Sequence, residues 1–133
     1  MKKQGILNMQ LAGLIAGLGH MDLFLIGDAG LPIPHGVPIV DLVLCGGVPT
    51  FEQVLDAVMG EAVVEYYYLA EEIKGKNERL LKYIKETLPD TNFTMIPHTE
   101  FKEMTKNVKF AIRTGEFTPY PNIILRAGVA FPA

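Results

Sequence analysis

The chain is short of cysteine, of charge and of long apolar runs, and each shortage removes a class of function. Cys45 is the one cysteine, so no internal disulfide can form, which fits a reducing cytoplasm. The run Val43-Leu44-Cys45-Gly46 reads as the end of a buried strand, where a thiol behaves as a small hydrophobe and not as a nucleophile. Charged residues make up 20% of the chain, with 12 basic against 15 acidic side chains and a formal charge of −3. No basic surplus is available to neutralise phosphates or anionic lipid, so nucleic acid and membrane are poor partners. Lys2 and Lys3 followed by the apolar stretch from Leu11 to Leu18 imitate a signal peptide. That stretch is too short to cross a bilayer, and Asp22 and Asp28 interrupt the apolar sequence after it. No His-x-His, His-Glu-x-x-His or paired cysteines occur, which argues against a metal site. The fragment Gly17-Leu18-Gly19-His20-Met21-Asp22 lacks the last glycine of a dinucleotide fingerprint and precedes a strand when it should follow one.

What remains is 49% hydrophobic residues in 133, ample for one packed domain spanning residues 1–133 without a linker. Asn8 can cap a helix whose apolar positions Leu11, Leu14, Ile15 and Leu18 repeat at helical spacing, with Gly19 as its left-handed terminator. Leu23 to Ile26 reads as a buried strand that delivers Asp28 at its exit. Pro32, Pro34 and Pro38 stiffen an extended crossing in which His35 is solvated. Ile39 to Leu44 is a second strand, and Thr50-Phe51-Glu52-Gln53 is a capping box opening a helix to about Met59. Ala62 to Leu69 is a third strand, and Asn77 to Leu88 a helix with Leu80, Leu81, Ile84 and Leu88 on one face. Phe93 to Ile96 is a short strand, Thr99 caps a brief helix, and Val108 to Ile112 and Ile123 to Leu125 complete the strands. The expected fold is a single layered α/β domain with a mixed sheet flanked by helices, because some connections are too short for crossover helices. Strand order does not follow from this pattern.

Seven polar residues stand in apolar surroundings, mostly at element ends: His20, Asp22, Asp28, His98, Lys102, Tyr120 and Asn122. Asp22 fits a turn better than a catalyst. His20 could be a cap or a surface residue, His98 could simply precede a helix, and Lys102 could be a solvated helix position. Residue types alone support an α/β domain with polar loop residues, and little more.

Several blocks together say more. Gly19-His20-Met21-Asp22, Asp28-Ala29-Gly30-Leu31-Pro32-Ile33-Pro34, His98-Thr99-Glu100-Phe101-Lys102, Ile112-Arg113-Thr114-Gly115-Glu116 and Thr118-Pro119-Tyr120-Pro121-Asn122-Ile123-Ile124-Leu125 appear in that order, with Ala127-Gly128-Val129 near the end. This arrangement resembles the D-ribose pyranase and L-fucose mutarotase family, and the second block is more similar to the ribose branch. The resemblance implies a cofactor-free mutarotase of free D-ribose, with L-fucose as the alternative sugar. It implies that His20 is the proton donor, that Asp28, His98 and the stretch from Tyr120 to Asn122 bind sugar, and that Lys102 joins them. It also implies a ring-shaped homo-oligomer, a decamer, with sites near subunit interfaces. Pro121 departs from the small residue expected there and offers no backbone N–H to a sugar.

The chemistry suits those residue types. A cyclic hemiacetal opens when a base takes the anomeric proton and an acid protonates the ring oxygen, so proton donors, acceptors and an orienting pocket suffice. An imidazole can give and take a proton near neutrality. His20 and Asp28 are eight positions apart, and eight extended residues span roughly 26–29 Å. Either the chain folds back between Met21 and Leu23 or the site combines residues of different subunits, and the Tyr-rich segment from Val63 to Leu69 is a candidate interface. The rival from another class is a non-catalytic sugar-binding adaptor of a ribose transporter or kinase. A metal-dependent isomerase is a third.

Overall fold

A computed structural model describes residues 1–132. Six strands, β1 (Leu23–Gly27), β2 (Ile39–Asp41), β3 (Val64–Ala70), β4 (Asn92–Ile96), β5 (Phe110–Arg113) and β6 (Ile123–Ala127), form one sheet in the order β2-β5-β1-β6-β3-β4. The sheet is mixed: β6 runs antiparallel to β1 and to β3, and the remaining pairs are parallel. The C-terminal ends of β1 to β5 therefore share one edge with the start of β6.

Side chains alternate between the two faces. Phe24, Ile26, Phe110, Ile112, Tyr67, Leu69, Ile123 and Leu125 point into the larger core. There they meet α1 (Met9–Ala16), α2 (Phe51–Met59) and α4 (Glu78–Thr87) through Leu11, Ile15, Phe51, Leu55, Leu80 and Ile84. On the opposite face Leu25, Ala70, Ala111 and Ile124 pack against Leu31 of the proline-rich crossing and Phe101 of α5 (His98–Met104). Each such fully buried Leu, Ile or Phe contributes about 1.5–3 kcal/mol over its exposed state.

The local signals held where the interaction is local. Asn8 Oδ1 accepts from Leu11 N–H at 2.9 Å. Thr50 and Gln53 close the reciprocal capping box, with Gln53 N–H to Thr50 Oγ1 at 3.1 Å and Thr50 N–H to Gln53 Oε1 at 2.9 Å. His35 is exposed.

Three expectations are corrected, and one short element is added. The first helix ends at Ala16 with Gly17 as its cap at φ −86°, and the left-handed residue is Met21 at φ 74°, not Gly19. Met21 is held there because its N–H reaches Ala127 O at 2.8 Å while Gly19 N–H reaches Asp22 Oδ2 at 2.7 Å. β2 stops at Asp41, and Cys45 is exposed in a tight turn instead of ending a buried strand. That turn is held by Gly47, at φ 83°, whose N–H donates to Gly115 O at 2.7 Å. α5 starts at His98 and not after Thr99, with Pro97 in the cap position. The Glu72 carboxylate caps it from outside, accepting from His98 N–H at 2.9 and 3.1 Å. Finally, α4 is preceded by a single helical turn, α3 (Ile73–Lys76), broken by Gly75 at φ 76°.

Candidate functional site

The edge where β1 ends and β6 begins gathers four of the residues singled out in the sequence. Asp28 leaves β1 with its Oδ1 turned back onto Gly30 N–H at 2.8 Å, a short Asx turn. Asn122 enters β6 beside it, almost fully buried. Its Oδ1 accepts from Asp28 N–H at 2.7 Å and its Nδ2 donates to Asp28 Oδ2 at 3.0 Å. Gly27 makes room for this approach, since a Cβ there would stand 3.3 Å from Asn122 Oδ1.

Tyr120 adopts a left-handed φ of 59° and its carbonyl accepts from Asn122 N–H at 2.9 Å, closing a three-residue turn on Pro121. A proline supplies the negative φ that the centre of an inverse γ-turn needs. The turn sets the Tyr120 ring edge-on to His98, with centroids 5.1 Å apart. On its other side His98 lies parallel to Phe101 at 6.2 Å. His98 Nδ1 is buried and has no hydrogen-bond partner among the described residues. Lys102 sits exposed on α5 four residues after His98, the spacing that places two side chains on the same helix face.

His20 is elsewhere. β1 separates it from Asp28, and five residues of strand at about 3.3 Å each put the two ends on the order of 16 Å apart. The turn before β1 does fold back, yet β1 then carries Asp28 to the far edge of the sheet. His20 is half exposed, with Nε2 2.6 Å from Glu65 Oε1. It borders a cavity of about 500 Å³ whose walls are largely apolar, including Leu18, Val63, Val129 and Phe131. Asp22 braces this corner. The Gly19 N–H and then the Lys109 ammonium, at 2.9 Å, hold its carboxyl below the usual carboxylate value. Asp22 is thus a turn anchor, as its sequence context indicates.

Within the chain the structure brings together Asp28, His98, Tyr120 and Asn122, with Lys102 on the adjoining helix face, and leaves His20 at the opposite edge. The four offer donors and acceptors of neutral and anionic character on one rim, a set suited to a polyhydroxylated small molecule. His20 lies outside this rim, half exposed beside Glu65.

Reading the sequence missed the groups that hold this frame. Arg113 Nε donates to Ala29 O at 3.0 Å and Nη1 to Asp41 Oδ2 at 2.9 Å, which ties the Asp28 loop to β2. Asp28 and Arg113 line a second cleft of about 450 Å³ with Glu116 and Phe117. Glu116 is buried, and its two oxygens are taken by Phe51 N–H at 2.9 Å and Thr118 Oγ1 at 2.7 Å, so it caps α2. Both lie in the Ile112 to Glu116 block, whose unusual Arg and Glu were the available signal. Glu65, a carboxylate inside an apolar strand, was another.

Comparison with known proteins agrees with this frame. The model of the RbsD / FucU transport protein family matches residues 1–130. The D-ribose pyranase of Geobacillus thermodenitrificans is 54% identical over 131 residues, covering 98% of this chain and 99% of the relative. The D-ribose pyranase of Limosilactobacillus fermentum is 48% identical over 131 residues, covering 98% and 100%. Among solved structures, Bacillus subtilis RbsD complexed with D-ribose has a TM-score of 0.95 at 46% identity, over 98% of this chain and 100% of that one. The Streptococcus pneumoniae fucose mutarotase, solved with L-fucose, shares the fold at TM-score 0.83 and 20% identity, over 98% and 100%.

Proposed function

This chain belongs to the RbsD / FucU transport protein family, and we propose that it is a D-ribose pyranase, interconverting the pyranose and furanose forms of free D-ribose. The observation that carries the reading is the convergence of Asp28, His98, Tyr120 and Asn122 on one rim, in a chain about half identical over nearly its full length to D-ribose pyranases. The ribose complex of Bacillus subtilis RbsD, at 46% identity, supports the choice of sugar.

In the reaction the anomeric hydroxyl loses its proton, the bond from C1 to the ring oxygen breaks, and the ring oxygen is protonated. The open aldehyde then recloses when a different hydroxyl adds to C1 and gives up its proton. Protons are only exchanged, so the chain needs positioned acid–base groups and no electron carrier. His20 is the proton-transfer residue in this reading. Asp28 accepts from a sugar hydroxyl, Asn122 and Tyr120 fix the ring, and His98 Nδ1 gains the partner it lacks among the described residues. Lys102 donates from the helix face.

Because β1 separates His20 from the rim, the working site is composed of two subunits. His20 of one protomer meets the rim of its neighbour in a ring-shaped homo-oligomer, a decamer, in the cytoplasm. The exposed Leu44, Val48 and Phe117 beside the Asp28 cleft supply apolar surface for such a contact. No helix among the described residues is long and apolar enough to cross a membrane.

Magnetization-transfer NMR on equilibrated D-ribose tests the function directly, comparing no protein, wild type and His20→Ala, with L-fucose as the second sugar. Pyranose–furanose exchange accelerated by wild type and abolished in the variant is the expected result. Acceleration that survives moves the proton transfer to another residue. Ribose binding without acceleration favours the adaptor reading, and faster exchange on L-fucose changes the substrate.

A further inference from the structure

The structure assigns Glu65 as the positioning residue of His20: its carboxylate holds the proton on Nε2 and leaves Nδ1 as the nitrogen that exchanges protons with the sugar. The inference rests on the reading of His20 as the proton-transfer residue.

The geometry begins with the strand. Val64 pairs with Ala127 and Tyr66 with Arg126, so β3 advances two residues while β6 advances one, and Glu65 is the extra residue of a bulge. A bulge turns its residue away from the regular alternation and is one way a strand aims a side chain. Here it brings Glu65 Oε1 to 2.6 Å from His20 Nε2. Glu65 is fixed from its other oxygen, which accepts from Arg126 Nε at 2.9 Å. Arg126 is held in turn, its guanidinium 4.8 Å from the centre of the Tyr66 ring. Gly128 keeps the corner open, since a Cβ there would lie 3.3 Å from Glu65 Cβ. On the His20 side, the left-handed Met21 and the Met21 N–H to Ala127 O bond lock the turn that presents the ring.

Stability does not explain this arrangement. His20 and Glu65 are 50% and 29% exposed, and an ion pair so open to water adds little to folding. The chemistry does explain it. An ionised carboxylate only accepts hydrogen bonds, so the nitrogen facing it must carry hydrogen in the neutral ring as well as in the imidazolium. Nδ1 is then the basic lone pair when the ring is neutral and the acid when it is charged, in one fixed orientation.

Long-range proton–nitrogen correlation NMR on the wild type, with nitrogen-labelled histidine, reads the His20 tautomer without any assay. The Nε2–H form is expected, giving way to a tautomer mixture in Glu65→Ala. Ribose exchange by Glu65→Ala should fall about 10- to 100-fold, through kcat and not KM, with partial recovery in added acetate. A wild-type His20 protonated on Nδ1, or a Glu65→Ala protein with full exchange rate, overturns the assignment. The wild-type tautomer stands as a test even if the Glu65 variant does not fold. A wild type with the Nε2–H form that leaves ribose exchange unchanged supports the tautomer assignment and sinks the ribose reading instead.

Discussion

Asn122 and Asp28, 94 positions apart in the chain, hold each other through two bonds of opposite sense: the Asn122 carboxamide accepts from the Asp28 backbone and donates to the Asp28 carboxylate. A carboxamide carries an acceptor and a donor side by side, so one side chain can do both at once. The pair locks the Asp28 carboxylate in place, so in the proposed site its orientation does not have to come from binding energy.

Asn122→Ala leaves the Asp28 N–H without its partner in a nearly closed corner. The expected loss is about 1–3 kcal/mol of stability, read from urea unfolding, together with weaker ribose binding by calorimetry. Binding that stays at the wild-type level would remove Asn122 from the sugar site.

The separation of His20 from the rim by β1 predicts complementation. His20→Ala and Asn122→Ala proteins, each impaired alone, should regain ribose exchange after being unfolded together and reassembled. With random mixing, about a quarter of composite sites would draw both intact halves. Mixed assemblies with no recovered activity would place His20 and the rim of the same protomer in one site, or His20 outside it.

Asp22 sets an acid limit. Its folded carboxyl is held below the ordinary 3.8 by the Gly19 N–H and by Lys109, so the unfolded chain binds its proton first as pH falls. The stabilisation is therefore complete above 3.8 and is lost as pH drops through the lower folded value. Asp22→Asn should lower the midpoint of urea unfolding near neutral pH, and the gap to wild type should narrow below pH 3.8. A gap that stays constant into acid would show that Asp22 acts only through shape.

Two glycines should respond oppositely to the same change. A Cβ on Gly115 would lie 2.6 Å from Val48 O and 2.7 Å from Val48 N, both backbone atoms that cannot step aside. Gly115→Ala is expected to cost about 1–3 kcal/mol. Gly13, inside α1, has nothing within 4 Å of its Cβ position, and Gly13→Ala should stabilise by about 0.5–1 kcal/mol through helix propensity. Thermal unfolding of the two variants checks both signs.

The parts of this protein that were legible in its sequence are those decided within a few residues. The Thr50–Gln53 box, the Asn8 cap and the apolar runs of β1 and α4 are local, and they appear where propensity and periodicity put them. The mixed sheet followed from the short connections. Asp28, His98, Tyr120 and Asn122 stood out as polar residues at element ends, and the ordered blocks joined them to a known family. Only the tertiary structure decided that β6 inserts between β1 and β3, because strand order depends on which distant faces bury best and leaves no period in the chain. That insertion brings Asn122 to Asp28 and Arg126 to Glu65, while the length of β1 carries Asp28 to the edge of the sheet away from His20. Cys45 was misplaced for the same reason: its apolar neighbours resemble a strand, but the close approach of Gly115 to Val48 turns the chain outward before the strand can form.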